Sequence, residues 1–339
     1  MNATEYLNTL INGKDLSEKE AGALLHDIIS GAITGVQAGA ILTALRIKGE
    51  SAQEITGFIK KMREKMVTVS APGAVDIVGT GGARVDPFNI STAAAFVARG
   101  AGATIAKHGN RASSSKCGSF DVLEALGIKI DLPPTEAQRV FGKTGMLFMF
   151  APLYHPAMKE VAAVRRELKV RTVFNILGPF TNPAGVKRQL TGVPDIAIAR
   201  KMAEVCRGLS YQHNLIVTSE DGMDEFSTSS KTHVFEVRGK TVKKMTIDPA
   251  RLGFKPPSEN ALQSGTKEEN AEIIKNILRG EKGARRDIVA LNAGAAIYVS
   301  GLAKTIGDGI RLAEESIDSG RAREALENLV RETNARAAL

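Results

Sequence analysis

The stretch DIVGTGGARVDPFNIST, from Asp76 to Thr92, stops an apolar run on Gly79, Gly81 and Gly82 and then sets Asn89, Ser91 and Thr92 where a helix would begin. Glycines at a strand end let backbone come close to a ligand, and hydroxyls and free N–H groups at a helix N-terminus converge on an anion. Two other glycine motifs do not fit. Gly79-x-Gly81-x-x-Arg84 lacks the third glycine of a dinucleotide fingerprint, and no Lys-Ser/Thr pair completes a P-loop. Taken alone, the loop is equally an ordinary strand-to-helix turn with Ser91 as its N-cap. A second stretch, AKHGNRASSSKCGS, brings Lys107, His108, Gly109, Asn110 and Arg111, then three serines and a cap at Ser119, again between a strand and a helix. If the two strands are neighbours in a parallel sheet, both loops open on one edge, and their cargo is large and strongly negative. A third loop, SEDGMDEFS, is acidic. By itself it reads as a solvated turn; beside an anion site, Asp224 and Glu225 suit a hard cation such as Mg²⁺.

The elements that must hold these loops are legible in outline. Within the first seventy residues, Ser17 with Glu20, Thr34, and Ser51 with Glu54 start three short amphipathic helices. After Pro72 the apolar runs VDIV, ATIAK, MLFMF, LTGV and NLIVT alternate with helical stretches, the pattern of an α/β domain with a mostly parallel central sheet flanked by helices. THVFEVRGKTVKKMTI predicts a hairpin turning at Arg238, Gly239 and Lys240, and the tail from Lys267 is helical. The expected architecture is a small helical domain over 1–70 and a larger α/β domain over 71–339.

Composition narrows the function classes. The net charge is +8, yet the basic residues are scattered, with no Trp and only 4 Tyr between them, a poor platform for stacking nucleic-acid bases. No nucleic-acid partner is expected. The apolar run around Phe148 is broken by Pro152 and His155 before it could span a bilayer, and the N-terminus has no secretory pattern, so a cytoplasmic setting without membrane contact is expected. Cys117 and Cys206 read as free thiols.

Together the loops resemble the anthranilate phosphoribosyltransferase family. The residues that carry the resemblance are Gly79 to Gly82, Asn89 to Thr92, Lys107 to Arg111 with the following serines, Val164-Arg165, RTVFNILGPFTNPAG from Arg171, and Asp224-Glu225. KHGNR and FNILGPFTNP are highly specific together, and the similarity runs from the N-terminal helices to DIVALNAGAAIYVSG. The resemblance implies a homodimer formed through the helical domain, to which residues from about 165–185 also contribute. It implies Mg²⁺, two ions of it, and transfer of the ribosyl phosphate of phosphoribosyl pyrophosphate (PRPP) to the amine of anthranilate, a step of tryptophan biosynthesis. By the same resemblance PRPP is held by Gly79, Gly81, Gly82, Ala83, Pro87, Asn89, Ile90, Ser91 and Thr92 of the first loop. In the second, Lys107, His108, Gly109, Asn110, Arg111, Ala112, Ser113, Ser114, Ser115 and Ser119 would hold it. Gly79, His108, Asn110 and Arg165 would face anthranilate, and Ser91, Asp224 and Glu225 would hold the metal. No acid or base is assigned, because an aromatic amine is already neutral near pH 7. The planar fork of Arg165 suits the acceptor's carboxylate.

One segment departs from the family. Where D-G-x-x-T usually follows GTGG, this chain has Ala83, Arg84, Val85, Asp86 and Pro87. Pro87 removes a backbone donor, and Arg84 adds a charge that suits phosphate. Three readings stay open: Asp86 replaces the missing carboxylate, the Mg²⁺ dependence is altered, or the acceptor has changed. Retained activity is the first expectation. A pyrimidine nucleoside phosphorylase shares the implied architecture, but KHGNR and RTVFNILGPFTNP favour the transferase. A nucleic-acid-binding paralogue is disfavoured by the acidic pair, which repels a phosphate backbone.

Overall fold

A computed structural model of the protein describes residues 1–83, 85–112 and 116–335; Arg84, Ser113, Ser114 and Ser115 lie outside the described residues. The N-terminal helices begin where side chains satisfy the free N–H groups of a first turn. Helices α1 (Ala3–Ile11), α2 (Glu18–Ile29), α3 (Gly35–Lys48) and α4 (Ala52–Lys65) each open on a capping box, formed by Asn2 with Glu5, Ser17 with Glu20, Thr34 with Gln37 and Ser51 with Glu54. This is one helix more than the sequence reading expects, because the Asn2-Glu5 box at the chain start starts a helix of its own.

The rest alternates. β1 (Val75–Gly79) leads to α5 (Ile90–Gly100), β2 (Ile105–Gly109), α6 (Ser119–Ala125), α7 (Pro134–Thr144) and β3 (Met146–Phe150). Three helices follow, α8 (Ala151–Tyr154), α9 (Lys159–Leu168) and α10 (Phe174–Leu177), before β4 (Arg188–Gly192), α11 (Ile196–Gly208) and β5 (His213–Ser219). β6 (Thr232–Arg238) and β7 (Thr241–Ile247) form the expected hairpin, and α12 (Lys267–Leu278), α13 (Ala284–Ser300), α14 (Ile306–Asp318) and α15 (Arg321–Asn334) complete the described chain. The strands make one seven-stranded sheet in the order β3-β2-β1-β4-β5-β6-β7. The first five are parallel and the hairpin is antiparallel. β1 therefore lies between β2 and β4, and chain order reverses there, the switch point at which open α/β sheets bind ligands.

Among the described residues two large apolar cores cover the sheet, with a smaller cluster of Ala106, Ala137, Leu147, Met149 and Tyr154 beside β2 and β3. One joins β1 and β2 to α5, α6 and the C-terminal helices through residues such as Phe96, Phe120, Ile288 and Ile297. The other joins α1 to α4 with α9, α10 and α11, burying Leu42, Phe58, Val161, Phe174 and Met202 together. The segment 159–177 thus packs with the N-terminal helices although it lies far along the chain, which places Arg165 on the bundle side of the site. Among the described residues no helix is long and apolar enough to cross a membrane.

Within the bundle, Glu54 carries more than its own cap. Its buried carboxylate accepts from Ser51 N at 2.7 Å and Leu16 N at 3.0 Å and pairs with Lys48 Nζ at 2.9 Å. Lys48 also pairs with the exposed Asp15, so removing Glu54 leaves its ammonium on Asp15 alone and the Leu16 and Ser51 N–H groups without their acceptor. Glu54→Ala is expected to cost about 3 kcal/mol, read as a lower urea midpoint and a lower Tm, whereas Glu18→Ala on the exposed Lys60 pair leaves both nearly unchanged.

Candidate active site

The ends of β1 and β4 are both glycine, Gly79 facing Gly192 across the ladder, and the acidic loop after β5 lies against them. A Cβ on Gly79 would stand 2.4 Å from Asp224 Oδ2, and one on Gly192 1.5 Å from the Asp224 carbonyl oxygen. Gly81 N, at a positive φ, donates to Asp224 Oδ2 at 3.1 Å, and Ser91 N in the first turn of α5 donates to Glu225 Oε1 at 3.1 Å. The glycine turn therefore accommodates the chain's own carboxylates. Two details correct the sequence reading. Asn89, not Ser91, is the N-cap of α5, which frees the Ser91 N–H for Glu225, and α6 is capped from Gly118, with Ser119 its first helical residue. In each case the loop's turn closes one or two residues earlier than the hydroxyl suggests.

Lys107 lies below this junction, buried, its ammonium bonded to the Ile77 carbonyl and 3.2 Å from Ser91 Oγ. Burial lowers its pKa, and Asp76, Glu225 and Asp224 oppose that. Burial raises the Asp224 pKa, and burial with Asp224 as neighbour raises that of Glu225 well above the carboxylate range. Glu225 Oε2 is buried with no hydrogen-bond partner. Two crowded carboxylates and an orphaned oxygen are a donor set short of a cation. Among the described residues no group of three or more His, Cys, Asp or Glu is placed to hold a metal ion by itself, so Mg²⁺ at Asp224 and Glu225 would need water and phosphate oxygens to complete its shell.

The motif from Arg171 to Gly185 crosses the same strand ends. Asn182 Nδ2 donates to Asp76 Oδ2 at 2.8 Å, and Gly178 O meets His108 Nδ1 at 3.2 Å. Asp76 is buried, and desolvation pushes its pKa up to about 6 against the pull of Lys107. His108 packs against His155 with ring centroids 5.0 Å apart and the rings tilted by 54°; burial first, then His155, lowers its pKa to about 3, so the ring is neutral. Its Nε2 has no partner. Asn110 is exposed, its Oδ1 accepting from Arg111 N at 2.8 Å. Arg111 is committed to Glu124 through two bonds of 2.6 and 2.8 Å, and Ala112 N donates to Asp121. Ser119 Oγ donates to Asn110 O and Gly109 packs against Ser119 and Phe120. Ile90 is core, and Thr92 is buried with its hydroxyl unpartnered. Burial raises the Cys117 thiol pKa, which makes it an unreactive neighbour. Arg165, on α9, lies over the Phe174 ring at 5.8 Å and forms no salt bridge among the described residues.

Within the departing segment, Asp86 and Pro87 are held by pairing. Pro87 bridges Gln263, flanked by Ser264 N to Asp86 O and Phe88 N to Leu262 O, both 3.0 Å. That makes Pro87 a non-hydrogen-bonded position of an antiparallel pair, so its missing N–H costs nothing. The Asp86 carboxylate turns to Lys116 N at 3.4 Å rather than to Asp224 and Glu225.

Arg171 is the residue that sequence reasoning passed over. Its Nη2 donates to Gly81 O at 3.1 Å, and a Cβ on Gly82 would fall 1.6 Å from its Nη1. The Gly81 peptide is thus held at both ends, by Asp224 at its N–H and by Arg171 at its carbonyl. Only the position of Arg171 at the head of the RTVFN motif signals this in sequence. Arg171→Ala is expected to weaken binding of Mg²⁺-pyrophosphate about fivefold by calorimetry, and an unchanged affinity would remove the clamp from the site.

The chain is similar to known proteins over nearly its whole length. The glycosyl transferase family a/b domain matches residues 71–323 and the family's helical bundle domain residues 4–66. The chain is 50% identical to anthranilate phosphoribosyltransferase of Rubrobacter xylanophilus over 96% of both chains, and 48% identical to that of Dehalococcoides mccartyi over 96% of this chain and 97% of the other. The crystal structure of the Thermus thermophilus enzyme superposes with a TM-score of 0.92 at 39% identity, covering 99% of this chain and 100% of that one. The Saccharomyces cerevisiae enzyme, in complex with PRPP and Mg, superposes with a TM-score of 0.90 at 29% identity over 98% and 97% of the two chains. A further structure of the yeast enzyme holds 4-fluoroanthranilate. By sequence and by fold, the chain belongs to the anthranilate phosphoribosyltransferase family.

Proposed function

We propose that the protein transfers the 5-phosphoribosyl group of PRPP to the amine of anthranilate, in tryptophan biosynthesis. The observation that carries the reading is the junction of Asp224 and Glu225 with Gly81 and Ser91 at the sheet's switch point. In the reaction the C1–O bond to pyrophosphate breaks, the amine nitrogen bonds C1, and the amine proton leaves to solvent or the departing pyrophosphate. Positive charge grows on the sugar and negative charge on the leaving group.

Cations and aimed N–H groups are therefore what the site must supply. Lys107 and the backbone of the glycine turn face the leaving group's charge. Ser91, Thr92 and the serines of the second loop hold the sugar phosphate. Asp224, Glu225 and Ser91 would hold Mg²⁺, in this reading two ions, and the metal would supply positive charge to offset that of the pyrophosphate. Arg165, cationic and without a carboxylate partner among the described residues, takes the carboxylate of anthranilate in a bidentate pair and aims its amine. His108 and Asn110 line the acceptor's approach. With an amine already neutral, holding the two reactants in line accounts for much of the acceleration.

We also propose that a second copy covers the outer face of the bundle. α1, α3 and α9 line an apolar groove of about 940 Å³. On it Val36 is 87% exposed, Ile47 83% and Ile11 66%. Such a face is costly to leave in water.

Two measurements test these readings. Loss of anthranilate fluorescence with PRPP is expected to require Mg²⁺, and Arg165→Ala is expected to raise the KM for anthranilate by at least about tenfold while leaving that for PRPP nearly unchanged. A folded protein with no turnover at any Mg²⁺ concentration would sink the transferase. In light scattering the wild type is expected to run as a dimer and Val36→Asp with Ile47→Asp as a monomer; a monomeric wild type would remove the dimer.

A further inference from the structure

Beyond the loops themselves lies a buried side chain to which the transfer reaction assigns no role. Asn270, in the first turn of α12, is fully buried and bonded on both faces of its amide. Oδ1 accepts from Gly265 N at 2.9 Å; Nδ2 donates to Ser264 Oγ at 3.0 Å and to Asn89 Oδ1 at 3.1 Å. Asn89 passes the contact on, its Nδ2 donating to Cys117 O at 3.1 Å. Both ends of this relay have a fixed polarity. The Gly265 N–H can only donate and the Cys117 carbonyl can only accept, so each amide between them has one allowed orientation.

The relay spans what binding must hold in register. Asn89 caps α5 immediately before Ile90, Ser91 and Thr92, while Cys117 closes the second loop just ahead of Gly118 and Ser119. The same segment grips the first loop by its backbone, through the Pro87–Gln263 bridge. With one N–H bonded to Cys117 O and its carbonyl oxygen to Asn270 Nδ2, the Asn89 amide ties the two loops together and still has a second N–H to offer a phosphate.

We propose that Asn270 is a positioning residue that sets the distance between the two anion loops, and hence the affinity for PRPP but not for anthranilate. This rests on the transferase reading above. A relay between loops acts on a polyanion that must touch both, whereas the acceptor meets the second loop only at His108 and Asn110 and is anchored outside both loops, by Arg165 on α9.

The test is Asn270→Asp, which is close to isosteric. It keeps the acceptor for Gly265 N but cannot donate to Asn89 or Ser264, and it sets a carboxylate against Asn89 Oδ1. The Kd for PRPP with Mg²⁺, by calorimetry, and the KM for PRPP are expected to rise by at least about tenfold. The KM for anthranilate is expected to stay within about twofold, and the Tm to remain far above the assay temperature. In a double-mutant cycle, Asn89→Ala and Asn270→Ala are expected to be clearly less than additive in PRPP affinity. Equal changes in both KM values, an unchanged PRPP affinity, or strict additivity would each overturn the proposal and leave Asn270 a core residue. If Asn270→Asp does not fold, Ser264→Ala, which removes one of the three bonds, is expected to weaken PRPP about threefold with anthranilate unaffected; no change there overturns the proposal equally. Were the wild type to bind PRPP yet show no transfer, the functional reading would fall while the calorimetry still decided for or against Asn270.

Discussion

Two adjacent carboxylates, Asp224 and Glu225, are held where water is scarce, and much of the site follows from that constraint. Each needs donors, and the nearest are backbone N–H groups of the glycine turn and of the first turn of α5. To bring those within reach, the strand ends on either side must carry no Cβ, which Gly79 and Gly192 satisfy. Each also needs positive charge. Lys107 is sunk beneath them and Arg171 lies beside Asp224, yet both pKa values remain raised, so the protein leaves the pair short of a cation. On the reading proposed above, a site in that condition suits a metal that arrives with a polyanion.

A polar seam supports this junction from within the sheet. Asp76 is buried on β1 and accepts from His108 N, Asn182 Nδ2 and Gln189 Nε2. Gln189 in turn reaches Pro179 O, and Arg63 on α4 bonds Phe180 O and the Tyr211 hydroxyl. The segment from Arg171 to Ala184 is therefore a bridge: it touches the glycine turn at its head, the His108 ring in its middle and Asp76 at its end, and it carries the bundle's contacts to the sheet. Buried polar groups of this kind stabilise little in themselves, but they allow few alternative arrangements, because each unpaired group would be costly. A reacting centre that relies on alignment benefits from such a frame.

The departing first loop illustrates how family patterns and physics can be separated. Removal of an N–H at Pro87 reads as a loss in sequence, yet the antiparallel bridge to Gln263 places that residue where the ladder asks for no donor. Asp86, a candidate replacement ligand on chemistry alone, is turned to Lys116 N instead. The loop's carboxylate has become a loop tie.

Much was determined locally and could be read from the chain alone. The capping boxes at Ser17 and Ser51, the helix start at Thr34, the alternation of apolar runs with helical stretches, the hairpin at Gly239 and the donor-rich loops all depend on neighbours within a few residues, and so did the resemblance carried by KHGNR and FNILGPFTNP. What tertiary structure decided was which of these meet. Arg171 on Gly81, Asn182 on Asp76 and Asn270 on Asn89 join residues 90, 106 and 181 positions apart, and nothing in local propensity or periodicity encodes such pairs. The same holds for the packing of 159–177 with the N-terminal helices and for the Cα-level closeness that makes Gly192 necessary. Local signals set each element's type and ends, because capping and amphipathicity act over one or two turns; the site belongs to the packing, because a buried charge can be satisfied only by whatever the fold brings beside it.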